Sequence, residues 1–182
     1  MHERKTNKQV EEYVGNILIN QSKVKATGFT SDYEDGSHTD IWWEDSKGNR
    51  HYFEVKTIKA HCRVTQNPRW RDMPDAWQGK RLWMLNNEKA GGTEKGGKDV
   101  KYQYLIDNGC GLVYVTSSGV CFYSCSMLKK ATLGFLDYWC PKTTLKSEKT
   151  NNAYEWENKA VIDLDKGHWI ECTPPDEFFK RL

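Results

Sequence analysis

The first regular pattern along the chain is helical. Val10, Tyr13, Val14, Ile17 and Leu18 recur at three- and four-residue spacing between Asn7 and Gln21, which puts them on one face and predicts an amphipathic helix. The period then fades. Residues 22–37, with Gly28, Asp32, Asp35 and Gly36, predict a short strand or connection followed by a loop. Two runs rich in aromatic and β-branched residues come next, His38 to Trp43 and Arg50 to Ile58. They flank the turn-forming tetrapeptide Ser46-Lys47-Gly48-Asn49, so a hairpin is expected.

Beyond Ile58 the pattern weakens. Asn67-Pro68, Met73-Pro74 and the run from Ala90 to Gly97 interrupt any long element. What remains is a helix around 75–87, with Trp77, Leu82, Trp83 and Leu85 on its core face, and a glycine-rich loop after it. A second helix is expected from Lys98 to Asn108, closed by Gly109. Residues 111–116 and 120–124 form a second hairpin through Ser117-Ser118-Gly119. Residues 160–164 and 168–172 read as a third, and a short helix follows Pro174-Pro175. No internal repeat is visible. The order α, β, β, irregular, α, β, β defines an α/β fold, with residues 1–126 as the core and 127–182 as a small β-rich C-terminal extension of the same domain.

Composition narrows the classes. A length of 182 residues suits one ordinary core, and eight Trp with nine Tyr exclude a disordered chain. The net charge of +2 conceals a local pattern, because basic residues gather in 59–101 and 127–149. The N-terminal stretch is amphipathic rather than apolar, so neither a signal peptide nor a membrane span is expected, and a cytoplasmic location follows by default. The six cysteines include no CxxC pair, which favours reduced thiols packed in the interior. A zinc site from His61, Cys62, Cys121 and Cys125 would lack the tight ligand pairs that structural zinc uses at two places.

The chemistry gathers on the first hairpin. Side chains alternate across a strand, so Tyr52, Glu54, Lys56 and Ile58 share one face. A carboxylate and an ammonium two residues apart among Phe53, Val55 and Ile58 suit a site better than a packed strand, since buried charge is costly unless paired. The ordinary alternative is an edge strand with a solvated ion pair. Asp40, on the facing strand, begins an apolar segment where an acid has no propensity reason to sit. Two carboxylates at one end of a hairpin can hold Mg²⁺, and Lys56 beside them can orient water or stabilise charge on phosphate.

Ser37-His38-Thr39-Asp40-Ile41 followed by Tyr52-Phe53-Glu54-Val55-Lys56-Thr57 resembles the signature of the PD-(D/E)XK, or restriction-endonuclease-like, nuclease superfamily. Thr39 stands where the family name has Pro. The resemblance covers roughly residues 5–126 and implies an αββαβ core with a central mixed sheet flanked by helices. It also implies that Asp40, Glu54 and the backbone carbonyl of Val55 hold one or two Mg²⁺ or Mn²⁺ ions, with Lys56 positioning the attacking water. The family often adds a glutamate from the first helix. At 100° per residue Glu11 lies at the edge of the apolar face and Glu12 points nearly opposite, so Glu11 is the preferred candidate, its spacing to Val14 and Leu18 being similar to that in Holliday-junction resolvases. Two ordinary surface acids in the first turns of a helix remain the other reading. His38 and His51 read as strand or surface histidines, and Gln103 as a weak helper candidate.

A nuclease must hold a polyanion. Lys59, Arg63, Arg69, Arg71, Lys80 and Arg81 are interleaved with Trp70, Trp77 and Trp83, and Trp70 is the expected base contact. Lys95, Lys98 and Lys101 could close over the backbone. The sequence therefore points to a Mg²⁺-dependent endonuclease acting on double-stranded or branched DNA, as a homodimer if both strands are cut. The rivals are an RNA endonuclease, a catalytically inert nucleic-acid-binding or inhibitory protein on the same fold, and a zinc-stabilised protein.

Overall fold

A computed structural model of the chain describes residues 2–30, 39–58, 72–87, 101–141 and 154–180. In chain order the described elements begin α1 (His2–Ile19), β1 (Val24–Phe29), β2 (Ile41–Asp45), β3 (Arg50–Thr57) and β4 (Leu82–Asn86). They continue with α2 (Lys101–Asp107), β5 (Gly111–Thr116), β6 (Gly119–Tyr123), α3 (Cys125–Ala131), β7 (Thr132–Pro141), β8 (Tyr154–Asp163) and β9 (His168–Glu171). The result is a mixed α/β protein with two sheets, ordered β1-β2-β3-β5-β6-β9 and β4-β8-β7. Contacts group the chain into two units, Met1–His61 with Tyr104–Ala131 and Lys166–Leu182, and Cys62–Gln103 with Thr132–Asp165. This partition differs from a core to residue 126 followed by an extension.

In the first unit α1 packs on β1, β2 and β3 through the face the periodicity predicts. Val10, Val14 and Leu18 are buried against Ile41, Phe53, Val113 and Val115, and Tyr13 meets the ring of Phe178 edge-on at 5.6 Å. The six-stranded sheet is mixed because β3 runs parallel to β5 while its other pairings are antiparallel. Every residue of β5 is buried, as a strand covered on both faces requires. Gly109 ends α2 as expected. Its φ of +65° lets Cys110 N donate to Leu105 O at 2.8 Å and Gly109 N donate to Ile106 O at 3.3 Å, the paired bonds of a Schellman cap.

The expected β2–β3 hairpin is present, and its register sets Ile41 opposite Phe53 and Glu44 opposite Arg50. Asp45 organises its turn. The carboxylate accepts from Lys47 N at 2.9 Å and Asn49 N at 3.0 Å, and His51 Nε2 lies 3.1 Å away. The hydrogen bond from His51, followed by that from Asn49 N, holds the Asp45 carboxyl down to about 2, below its ordinary 3.8. A folded-state value below the unfolded one means that this contribution is complete above pH 3.8 and is lost as pH falls toward 2. Asp45→Asn is expected to flatten the fall of melting temperature between pH 4 and pH 2; an unchanged acid profile would show that Asp45 does not govern it.

Two expectations are corrected. Residues 75–87 are not a helix: a 3-10 turn covers Asp75–Trp77, Gln78 is extended, Gly79 has φ +77°, and Leu82–Asn86 is strand β4. Leu82 and Leu85 fall on opposite faces of β4 and both are buried, so no period-two alternation marks the strand. Trp77 packs instead with Met73, Leu133 and Leu136 on the small core of Leu82 and Val161. Nor do residues 160–164 and 168–172 pair. β8 lies between β4 and β7, while β9 pairs with β6. Leu164 N continues the β8 ladder by donating to Arg81 O at 2.8 Å, and Gly167 lies where a Cβ would strike Cys121 Sγ at 2.1 Å. Long-range partners therefore divert the chain between β8 and β9.

Candidate functional site

The register of β3 fixes the site. With Ile41 opposite Phe53, Asp40 stands just ahead of β2 and across from Glu54. Its N–H donates to Phe53 O at 2.9 Å and its carbonyl accepts from Thr30 N at 3.0 Å. The side chain turns along β3, where Oδ2 accepts a hydrogen bond from Val55 N at 2.8 Å. Asp40 thus closes the hydrogen-bond ladder where β2 gives out, a structural reason for an acid that strand propensity does not supply.

Glu54 is 3% exposed, and Lys56 Nζ lies 2.7 Å from its Oε1. β3 is an interior strand between β2 and β5, so the alternative of a solvated pair on an edge strand does not hold. The Lys56 side chain is 43% exposed and keeps its ammonium at the mouth of the site. The pair is therefore half desolvated: a carboxylate sunk in the sheet, answered by a cation at the surface.

Both residues line a cleft of about 270 Å³ together with Asn7, Val10, Glu11, Asp40, Val55 and Thr57. Between the two helix acids the geometry favours Glu11, which lines this cleft, while Glu12 borders a neighbouring groove and is exposed. Asn7 was not singled out from the sequence, although it lies four residues before Glu11 and so on the same helical face. Thr57 was assigned to the opposite face of β3 by alternation; the cleft reaches it at the end of the strand.

The other candidates fall elsewhere. His51 belongs to the hairpin turn and stacks on Trp43 at 4.4 Å. Lys80 and Arg81 precede β4 in the second unit, Lys80 Nζ 3.7 Å from Asp163 Oδ2 and Arg81 donating to Asp165 Oδ1 through Nε at 2.8 Å. Gln103 is exposed on α2. Lys59, Arg63, Arg69, Trp70 and Arg71 lie outside the described residues, as do His38, His61, Cys62, Lys95, Lys98 and the glycine-rich run. Cys110, Cys121, Cys125 and Cys172 form no disulfide. No described helix is long and apolar enough to cross a membrane.

Among the described residues no three His, Cys, Asp or Glu side chains are gathered as a ready-made metal cage. The donor chemistry of the cleft nevertheless fits a hard divalent cation. Asp40, Glu54 and Glu11 line the cleft with carboxylates, and among the described lining residues there is no thiol or imidazole. Mg²⁺ takes one or two carboxylates and otherwise keeps its waters, so it does not need a complete protein cage. Comparison with protein-family models, with curated proteins and with solved structures returns no match for this chain.

Proposed function

We propose that the chain is a metal-dependent endonuclease that hydrolyses phosphodiester bonds, with DNA as its polymer. The observation that carries this reading is the meeting of Glu11, Asp40, Glu54, Val55 and Lys56 on one cleft. The chain order α1, β1, β2–β3 hairpin, β4, α2, β5 contains the αββαβ succession of the core that the sequence resembles, with β1 and β4 in addition.

In this reading Asp40, Glu54, the Val55 carbonyl and Glu11 hold Mg²⁺ or Mn²⁺. The cation, when bound, supplies positive charge against the phosphate and makes water a stronger nucleophile. The remaining work falls to the chain. Val55 N–H pins the Asp40 carboxylate in the cleft. Glu54 holds the Lys56 ammonium at the mouth, where its N–H groups can orient an attacking water and neutralise the phosphate oxygens. As the water oxygen bonds to phosphorus the bridging P–O bond breaks, and the proton lost by water balances the one gained by the departing oxygen.

Lys59, Arg63, Arg69, Trp70 and Arg71, which follow β3 in the chain, are proposed contacts to the polymer. Cutting both strands of a duplex calls for two sites, hence a homodimer.

The test is incubation of wild type, Glu54→Ala and Lys56→Ala with plasmid, linear duplex, single-stranded DNA, a four-way junction and RNA, each with Mg²⁺, Mn²⁺ or chelator. Metal-dependent cleavage by wild type that both variants lose is expected. Cleavage that survives in the variants, or binding with no cleavage of any substrate, would overturn the proposal, the second in favour of an inert binding module.

A further inference from the structure

Beside the cleft lies a groove of about 310 Å³ between α1 and β1, bordered by Glu11, Glu12, Gly15, Asn16, Thr27 and Phe29. Glu11 lines both cavities, so the two adjoin at that side chain. At 1.5 Å per residue, the row from Glu11 to Asn16 carries the groove about 7 Å along the helix from their shared residue.

Gly15 sits inside an 18-residue helix, where glycine is a poor former second only to proline. Neither backbone nor packing calls for it. Its φ is not positive, and a Cβ there would meet nothing closer than Thr27 Oγ1 at 3.6 Å, an ordinary contact. What the missing side chain does provide is open space in the groove.

Phe29, at the end of β1, is 43% exposed, with Lys8 Nζ 5.7 Å from its ring centroid. An aromatic ring at the lip of a groove, with an ammonium over one of its faces, suits a base stacked on the other face whose phosphate runs past the ammonium. The groove itself would repel phosphate, because Glu11 and Glu12 border it. It offers the edge of a base what it needs: the Glu12 carboxylate, which accepts from exocyclic amino groups, and the Asn16 amide and Thr27 hydroxyl, which both donate and accept.

We infer that the groove between α1 and β1 is a nucleobase pocket, which takes one unpaired base of the strand whose backbone lies in the adjoining cleft. This rests on the nuclease reading of that cleft and adds a substrate class: single-stranded or locally unpaired nucleic acid. The amino-bearing bases, cytosine, adenine and guanine, fit the carboxylate-bordered edge better than thymine, which has no exocyclic amino group.

Fluorescence anisotropy with 5′-labelled 12-nucleotide oligo(dC), oligo(dA) and oligo(dT), and with a paired duplex, tests the pocket in chelator, apart from cleavage. Wild type is expected to bind oligo(dC) and oligo(dA) more tightly than oligo(dT) and the blunt duplex. Phe29→Ala should weaken single-strand binding roughly ten-fold or more. Gly15→Leu should do the same by filling the groove. Gly15→Ala controls for folding: it should raise the melting temperature through helix propensity and weaken binding less than leucine does. Wild-type affinity for single strands in both Phe29→Ala and Gly15→Leu, with nucleic-acid binding and cleavage otherwise intact, would overturn the pocket alone. Failure of the wild type to bind any single strand in chelator while it still cleaves with metal would overturn the pocket alone; failure both to bind and to cleave any nucleic acid would overturn the pocket and the nuclease reading together.

Discussion

Asp40→Asn is expected to lower the proposed metal-dependent cleavage by on the order of a hundred-fold or more, while the protein keeps its fold. The asparagine Oδ1 can still accept from Val55 N, as the Asp40 carboxylate does at 2.8 Å, but it brings no charge to the cleft. Asp40→Ala should lose both, because the Val55 N–H is then left without that acceptor, at a cost of about 1–3 kcal/mol. Thermal melts and a cleavage assay on the same two variants separate the roles. Equal melting temperatures with equal activity loss would deny Asp40 its place in the ladder. Full activity in Asp40→Asn would remove it from the chemistry.

The double variant Glu54→Leu with Lys56→Met should be inactive and yet at least as stable as the wild type. The Glu54 carboxylate, 3% exposed, has its ammonium partner at 2.7 Å, and replacing such a pair by apolar residues of similar size is often neutral or stabilising. Because the Lys56 side chain is 43% exposed, the gain should be small, about 1 kcal/mol or less. Lys56→Met alone should instead lower the melting temperature, since it removes the ammonium 2.7 Å from a carboxylate that is 3% exposed. Added Mg²⁺ should recover more of that loss than it adds to the wild type, as binding to the folded state alone stabilises it. A double variant that unfolds would show that the pair is there for the sheet.

Much of this site was legible in the chain because its signals are local. Helical spacing placed Val10, Val14 and Leu18 on the core face, and with them Glu11 at its edge. Alternation put Glu54 and Lys56 on one face of a strand, and the short turn over residues 46–49 fixed the register that sets Asp40 across from Glu54. These relations involve neighbours within about fifteen residues, where backbone geometry and turn chemistry decide.

The tertiary structure decided what depends on distant partners. β4 was misread because a strand buried on both faces carries no alternation, and β8 and β9 because each found a better partner far along the chain than in the other. Only the packing of α1 on β1 to β3 shows that Asn7 and Thr57 join the cleft, that Glu11 rather than Glu12 reaches it, and that Gly15 leaves a groove open beside it. Sequence by itself determined the local frame that holds Glu11, Asp40, Glu54 and Lys56, because propensity and periodicity act over a turn or a hairpin. Tertiary structure alone determined the strand order and the cavities, because burial and cross-strand pairing are fixed by residues that the chain brings together from far apart.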